Sequence, residues 1–92
     1  MRFTWRSDKA ARNLKEKGIG FERASAVWMS NRVDAPSPRL HSDERRRQSL
    51  GRVDGHVLAL VYVMLDDDPM HVISLRRASR QERRKYAEAF PE

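Results

Sequence analysis

The sequence predicts an α+β domain, a small antiparallel β-sheet with two amino-terminal helices on one face and a carboxy-terminal helix, and three observations carry that prediction. Asp54-Gly55 lies between two strand-like runs, Arg45 to Val53 and His56 to Leu65, and is the pair that a two-residue type I′ hairpin demands. Before Asn31 the apolar residues instead fall at helical intervals. The alternating run His71 to Arg76 leads into Ser79-Arg80-Gln81-Glu82, the pattern of a capping box opening a last helix.

In chain order, Phe3-Thr4-Trp5 alternates like a short strand. Ser7 or Asp8 can cap a helix that carries Ala10, Ala11 and Leu14 on one side, with Lys15, Lys17 and Gly18 as its last turn and stop. A second helix places Phe21, Ala24 and Trp28 on one stripe with Val27 beside them. Trp5 and Trp28 read as core or interface anchors. From Asn31 to Ser42, Pro36, Pro38, serines and charges mark an irregular connection, with at most an edge strand near Arg32 to Ala35. The hairpin follows, its second strand central because it is apolar almost throughout, and Asp66-Asp67-Asp68-Pro69 turns the chain into the strand at His71.

A two-residue turn also predicts a register. Pairing Val53 with His56 sets Arg46 beside Val63 and Gln48 beside Val61; folding Met70 onto Leu65 sets Val72 beside Val63 and Ser74 beside Val61. One face then carries Arg46, Gln48, Ala59, Val61, Val63, Ser74 and Arg76. The other carries Leu58, Leu60, Tyr62, Met64, Ile73 and Leu75, with His71, and its larger side chains make it the helix-covered core. The first face is expected to be open, and a single bulge would reverse part of a strand.

The totals bound the function. Ninety-two residues make one domain over 1–92. A net charge of +6 and a pI near 10.5 favour nucleic acid or an acidic protein as partner. Without cysteine there is no disulfide and no thiolate metal site, and His41, His56 and His71 lack metal-ligand spacing, so neither metal nor cofactor is expected. The longest apolar run, Val57 to Leu65, is about half of a membrane-spanning helix, and no signal-peptide core is seen; the expectation is a soluble, cytoplasmic protein. No Gly-rich phosphate loop and no Ser-His-Asp or Cys-His arrangement can be assembled.

Several stretches resemble a known family. Phe3-x-Trp5, Lys9, Asn13-Leu14, Gly18 and Phe21-Glu22-x-Ala24, then Arg46 with Gly51, and above all Ile73-Ser74-x-Arg76-x-Ala78-Ser79-x-x-Glu82-Arg83-x-x-Tyr86 are similar to the BrnT-like toxins of bacterial type II toxin–antitoxin modules, which belong with the RelE-like ribonuclease toxins. The resemblance implies a RelE-like fold, cleavage of RNA in cells, and a hetero-oligomer with a small antitoxin whose DNA-binding part is ribbon-helix-helix. The chain departs from the family at Arg6, where an acidic residue is usual, and at Lys17, where a His is usual; a general acid or base carried by that His would be missing.

Metal-free RNA cleavage needs a deprotonated ribose 2′-oxygen, stabilisation of the phosphorane and a protonated 5′-oxygen. Arginine forks suit the second task, which points to Arg46 and Arg76, with Arg80 and Arg83 gripping neighbouring phosphates and Lys9 contributing to RNA binding. The helix start at Ser79, with Arg76, Arg77 and Arg80, would hold an anion. His71 suits proton transfer by residue type, but the register turns it away from Arg46 and Arg76. Glu44 and Glu82 remain as bases, and Tyr86 as a proton donor or stacking surface. The capping box alone explains the spacing of Glu82, Arg76 with Glu82 also reads as a structural salt bridge, and surface arginines are commonly a solvated face. Two other readings stand beside the ribonuclease: a basic module that only binds RNA or an antitoxin, and a degenerate toxin without catalysis.

Overall fold

The computed structural model describes residues 1–36, 45–66 and 68–91. Strands β1 (Phe3–Thr4), β2 (Arg32–Pro36), β3 (Arg46–Val53), β4 (His56–Met64) and β5 (Met70–Arg77) form one sheet in the order β1-β5-β4-β3-β2. Only β1 runs parallel to its neighbour. The helices are α1 (Ser7–Lys17), α2 (Ala24–Met29), which a 3-10 turn at Phe21–Arg23 precedes, and α3 (Arg80–Ala89). None of these described helices is long and apolar enough to cross a membrane. His41 and Glu44, and the connection after Pro36, lie outside the described residues.

The β3–β4 turn closes as its sequence requires, with Asp54 at φ 52° and Gly55 at φ 82°, both in the left-handed region that a type I′ turn needs. Val53 therefore faces His56, and Arg46 faces Val63. At the start of α1 the structure differs from the expected cap: Arg6 holds the N-cap position in extended conformation and neither Ser7 nor Asp8 caps the helix. The Arg6 guanidinium instead donates to Asp8 at 3.0 Å. The stop is where Gly18 allows it, at φ 72°, its N–H donating to the Leu14 carbonyl at 2.9 Å.

Two cores sit on opposite faces of the sheet. The first packs Phe21, Ala24 and Val27 on Leu58, Leu60, Tyr62, Met70, Val72 and Leu75, with Trp28 at its margin. At Gly51 a Cβ would meet Val27 and Ser30, so the missing side chain is what lets α2 lie close on β3. On the same side the buried Ser49 hydroxyl donates to the exposed Asp34 at 2.6 Å and is hydrogen-bonded to the buried Tyr62 hydroxyl at 2.9 Å. A buried hydroxyl without partners would cost stability, and this one has two.

The second core is smaller: Leu50, Val57 and Ala59 of the sheet against Ala78 and Tyr86, with Val33 and Phe90 at its edge. The face expected to be open is thus half covered by α3. Among the described residues, no helix packs on the half around Arg46, Val61 and Arg76.

The β4–β5 register contains a bulge. Val61 faces Ser74 as predicted, but Tyr62 faces Val72, so Ile73 is the extra residue between them. Before it, the side-chain alternation of β5 is reversed relative to the prediction. Met70 and Val72 enter the first core, whereas His71, paired with Val63, and Ile73 turn to the face that carries Arg46.

Candidate functional site

On the half-covered face the chain builds a groove of about 450 Å³, lined by Lys9, Arg12, Asn13, Glu16 and Lys17 of α1 and by Arg46, Gln48, Val61, Ile73, Ser74 and Arg76 of the sheet. Among these described residues five cations surround one carboxylate, Glu16. Like charges gathered in a concave site raise the local positive potential and draw in a polyanion.

The wall formed by α1 depends on Asn13. β1 pairs with β5 only at Met70 and His71, which leaves later backbone groups on that edge without a strand partner. Asn13, 6 % exposed, fills the place. Its amide donates to the Leu75 carbonyl at 2.8 Å and to the Ile19 carbonyl at 2.9 Å, and its carbonyl accepts the Leu75 N–H at 3.4 Å. One side chain thereby joins α1, the segment after it and the bulged strand. The polar stripe 9, 12, 13, 16, 17 then faces the groove while Ala10 packs on the first core. Its helical spacing is present in the sequence, which within this stripe points to RNA only at Lys9.

Arg46 and Arg76, expected to share a face, do share the groove, but in different states. Arg76 donates through Nη1 to Glu82 Oε1 at 2.7 Å and through Nη2 to Glu82 Oε2 at 2.9 Å. The remaining Nη protons turn to the Arg77 carbonyl at 3.3 Å and to Gln48 Oε1 at 3.4 Å. Of its five N–H groups only Nε–H is left without one of these partners. Arg46 differs: its Nε is a buried donor with no hydrogen-bond partner among the described residues. A buried donor in that condition is costly and favours an incoming acceptor.

Glu82 is also the anion at the start of α3. The Ser79 N–H donates to its Oε1 at 2.8 Å, the Glu82 N–H donates to the Ser79 hydroxyl at 3.2 Å, and Gln48 Nε2 donates to its Oε2 at 2.9 Å. The predicted capping box is formed, and the anion site expected there for a ligand is filled by the chain's own carboxylate. Hydrogen bonds from Arg76, reinforced by the Ser79 amide, the Arg76 charge and Gln48 and opposed by burial, hold the Glu82 carboxyl at about 2, below its ordinary 4.5. A carboxylate so weakly basic is a poor proton acceptor at neutral pH. The geometry gives Glu82 the task of orienting Arg76.

The shift also makes a stability prediction. Because the folded-state value is depressed, the contribution is complete above about 4.5 and is lost as pH falls towards about 2. The pair is only partly shielded, with Arg76 33 % and Glu82 16 % exposed, so the expected size is on the order of 1–2 kcal/mol. Thermal midpoints recorded between pH 6 and pH 2 should decline less steeply for Glu82→Gln than for the parent chain, and an equal decline in both would show that Glu82 carries none of the acid sensitivity.

Three expected site residues lie elsewhere. Tyr86 is 4 % exposed within the second core, its hydroxyl donating to the Asn31 carbonyl at 3.0 Å; its spacing on α3 is that of a core residue, and burial removes it as proton donor or stacking surface. Arg83 donates to the Ala78 carbonyl at 3.0 Å and lines a separate pocket with Arg52, His56 and Arg77. Arg80 is exposed on the first turn of α3, away from the groove lining. Trp5 is 38 % exposed with its ring edge against Phe21, and Trp28 lies under the Arg32 guanidinium at 3.4 Å. Among the described residues no group of three or more His, Cys, Asp or Glu side chains stands together that could hold a metal ion.

Comparison with known proteins adds a family to this geometry. A family model described as the ribonuclease toxin BrnT of type II toxin–antitoxin systems matches residues 5–82. Among solved structures the chain is similar to the ribonuclease toxin BrnT of Brucella abortus, with a TM-score of 0.71 at 22 % identity over 87 % of this chain and 99 % of that one. At that identity the likeness speaks for the fold, a five-stranded sheet with three helices. The curated proteins searched contain no match.

Proposed function

The chain belongs to the family of BrnT ribonuclease toxins of type II toxin–antitoxin systems, and from that premise we propose that it is a metal-independent endoribonuclease of RelE-like architecture, acting as one domain that arrests growth by cutting RNA. The observation that carries the reading is the groove itself: Lys9, Arg12, Lys17, Arg46 and Arg76 around a space of about 450 Å³, with the buried Arg46 Nε lacking a hydrogen-bond partner among the described residues. RNA backbone phosphate is the guest whose charge and acceptor geometry fit such a wall.

In this reading Arg46 meets the scissile phosphate and takes up the charge that grows on it as the 2′-oxygen attacks. Arg76 adds its field from a fixed position, held by Glu82 and Gln48. Lys9, Arg12 and Lys17 hold the flanking backbone, and Arg80 and Arg83 receive RNA that runs beyond the groove. The family implies an antitoxin, and we take it to be a small acidic protein with a ribbon-helix-helix DNA-binding part, drawn to the same basic surface.

Induced expression in bacteria tests the proposal. Growth should stop, and co-expression of the antitoxin from the neighbouring reading frame should restore it. Purified chain should cut RNA in the presence of EDTA. A binding module without catalysis would instead hold RNA with steep salt dependence and leave it intact, in which case the enzymatic reading is wrong.

A further inference from the structure

The bulge at Ile73 has a chemical result that the strand pattern concealed. Counting back from Leu75 without it turns His71 into the core; with it, His71 faces the same way as Val63, to which it is paired, and as Arg46, which is paired with Val63 from the other side. Thr4 follows in the same row through its pairing with His71. Thr4, His71, Val63 and Arg46 thus form one line across four strands. Adjacent strands are about 4.8 Å apart, so Arg46 and His71 stand about 10 Å apart at Cα, flanking Val63. Val63 is 7 % exposed and offers no competing polar group. Ile73, the next residue of β5 on this face, and Lys9 of α1 already line the groove.

The imidazole is oriented as well as placed. His71 Nδ1 lies 3.0 Å from the Thr4 hydroxyl. A hydroxyl either donates or accepts, so Thr4 keeps this hydrogen bond in every protonation state of the ring. With Nδ1 engaged, Nε2 is the nitrogen left to exchange a proton with a ligand, since the bond at one ring nitrogen decides the role of the other. The titratable groups that line the groove itself are lysines, arginines and Glu16; His71 stands outside that lining, in the row beyond Val63 from Arg46, and is the histidine that the pairing places on this face.

We propose that His71 is the general acid of the cleavage reaction, protonating the 5′-oxygen that leaves the phosphate held by Arg46, with Thr4 as its positioning residue. The inference rests on the ribonuclease reading above. In the step it describes, the 2′-oxygen forms a bond to phosphorus and its proton passes to solvent water. The bond from phosphorus to the 5′-oxygen breaks, and that oxygen takes the proton from Nε2 of the imidazolium. The products are a 2′,3′-cyclic phosphate and a free 5′-hydroxyl, and the neutral imidazole regains its proton from water. Charge on the phosphate and the proton on the leaving group are thereby handled from the two sides of Val63 in one sheet row.

A substitution of the leaving atom isolates this role. The parent chain and His71→Gln, with Thr4→Val for comparison, are assayed on a short RNA and on the same RNA carrying a bridging 5′-sulfur at the linkage the parent cuts, with and without ribosomes. Glutamine keeps a group that can bond to Thr4, and circular dichroism verifies the fold. On the oxygen substrate His71→Gln should be slower by about 10²–10⁴-fold, the range for loss of an acid–base group. On the sulfur substrate, whose leaving thiolate needs no proton, it should approach the parental rate. Thr4→Val should show the same pattern in weaker form. An unchanged rate on oxygen, or an equal loss on both substrates, overturns the assignment of His71. Failure of the parent to cut either RNA under every condition overturns the ribonuclease reading, and the assignment of His71 with it.

Discussion

Replacing Arg46 by alanine is expected to lower the rate of RNA cleavage by about 10²–10³-fold, the usual cost of removing one donor aimed at transition-state charge. Arg46 is the residue for which that loss should be cleanest. Its Nε has no hydrogen-bond partner among the described residues, so alanine orphans no acceptor of that donor, and the midpoint of thermal unfolding should change little. Lysine at the same position keeps the charge but loses the planar fork, and should recover RNA binding more than turnover. Single-turnover cleavage of one RNA, measured beside its affinity at several salt concentrations, separates the two effects. An Arg46→Ala chain that cuts at the parental rate would remove Arg46 from the chemistry. Arg76→Ala is the less informative variant, because it also strips Glu82 of two hydrogen bonds and so mixes stability with function.

Asn13→Ala should be the most damaging single change to the fold made at a polar residue. It removes donors to the Ile19 and Leu75 carbonyls and the acceptor for the Leu75 N–H. An unsatisfied buried polar group costs about 1–3 kcal/mol, and solvent entering the β5 edge relieves part of the sum, so a total of about 2–4 kcal/mol is expected. For a domain of this size that corresponds to a fall of roughly 10–25 °C in the unfolding midpoint. Asn13→Asp should fare little better, since it keeps the acceptor and loses both donors. Because the same side chain ties α1 to β5, cleavage measured well below the midpoint should also weaken as the wall bearing Lys9, Arg12 and Lys17 loosens. Thermal melts of the two variants check the first expectation, and an unfolding midpoint within a few degrees of the parent would show that water replaces Asn13 without loss.

Much of this architecture was legible because short-range chemistry decides it. Asp54-Gly55 takes positive φ at both residues, so the register of β3 on β4 follows from two positions. Ser79 and Glu82 satisfy each other across one helical turn, and Gly18 ends a helix by adopting a left-handed conformation. The apolar content of Val57 to Val63 made β4 central, and it lies between β3 and β5. Each of these depends on neighbours within about one turn of the chain.

The candidate site was legible only in part. Arg46, Arg76 and Lys9 meet in the groove, joined by Lys17, which the sequence marks only as a departure from the family's usual His, and by Arg12, whose destination the helix alone does not state. Tyr86 looked like a site residue because its hydroxyl is chemically capable, and burial against Leu50 and Ala59 withdrew it. The face expected to be open is half covered for a related reason: the apolar residues Leu50, Val57 and Ala59 are few, but α3 needs only that much surface to dock.

By itself, then, the sequence determined the strands, the hairpin register, the helix limits at Gly18 and Ser79, and the excess of positive charge, all of which arise from backbone preference and local hydrogen bonding. The sequence already offers Arg76 and Glu82 as a salt bridge, and that pair forms; tertiary structure alone decided that Gln48 joins them from another strand and that Arg46 Nε is buried without a partner among the described residues. It also decided the direction of His71. A strand's alternation is a local rule, but whether an extra residue interrupts it depends on the pairing with β4 and on the edge that Asn13 closes from α1. One inserted residue exchanges the core face for the face that carries Arg46, and no pattern of period two within β5 contains that information.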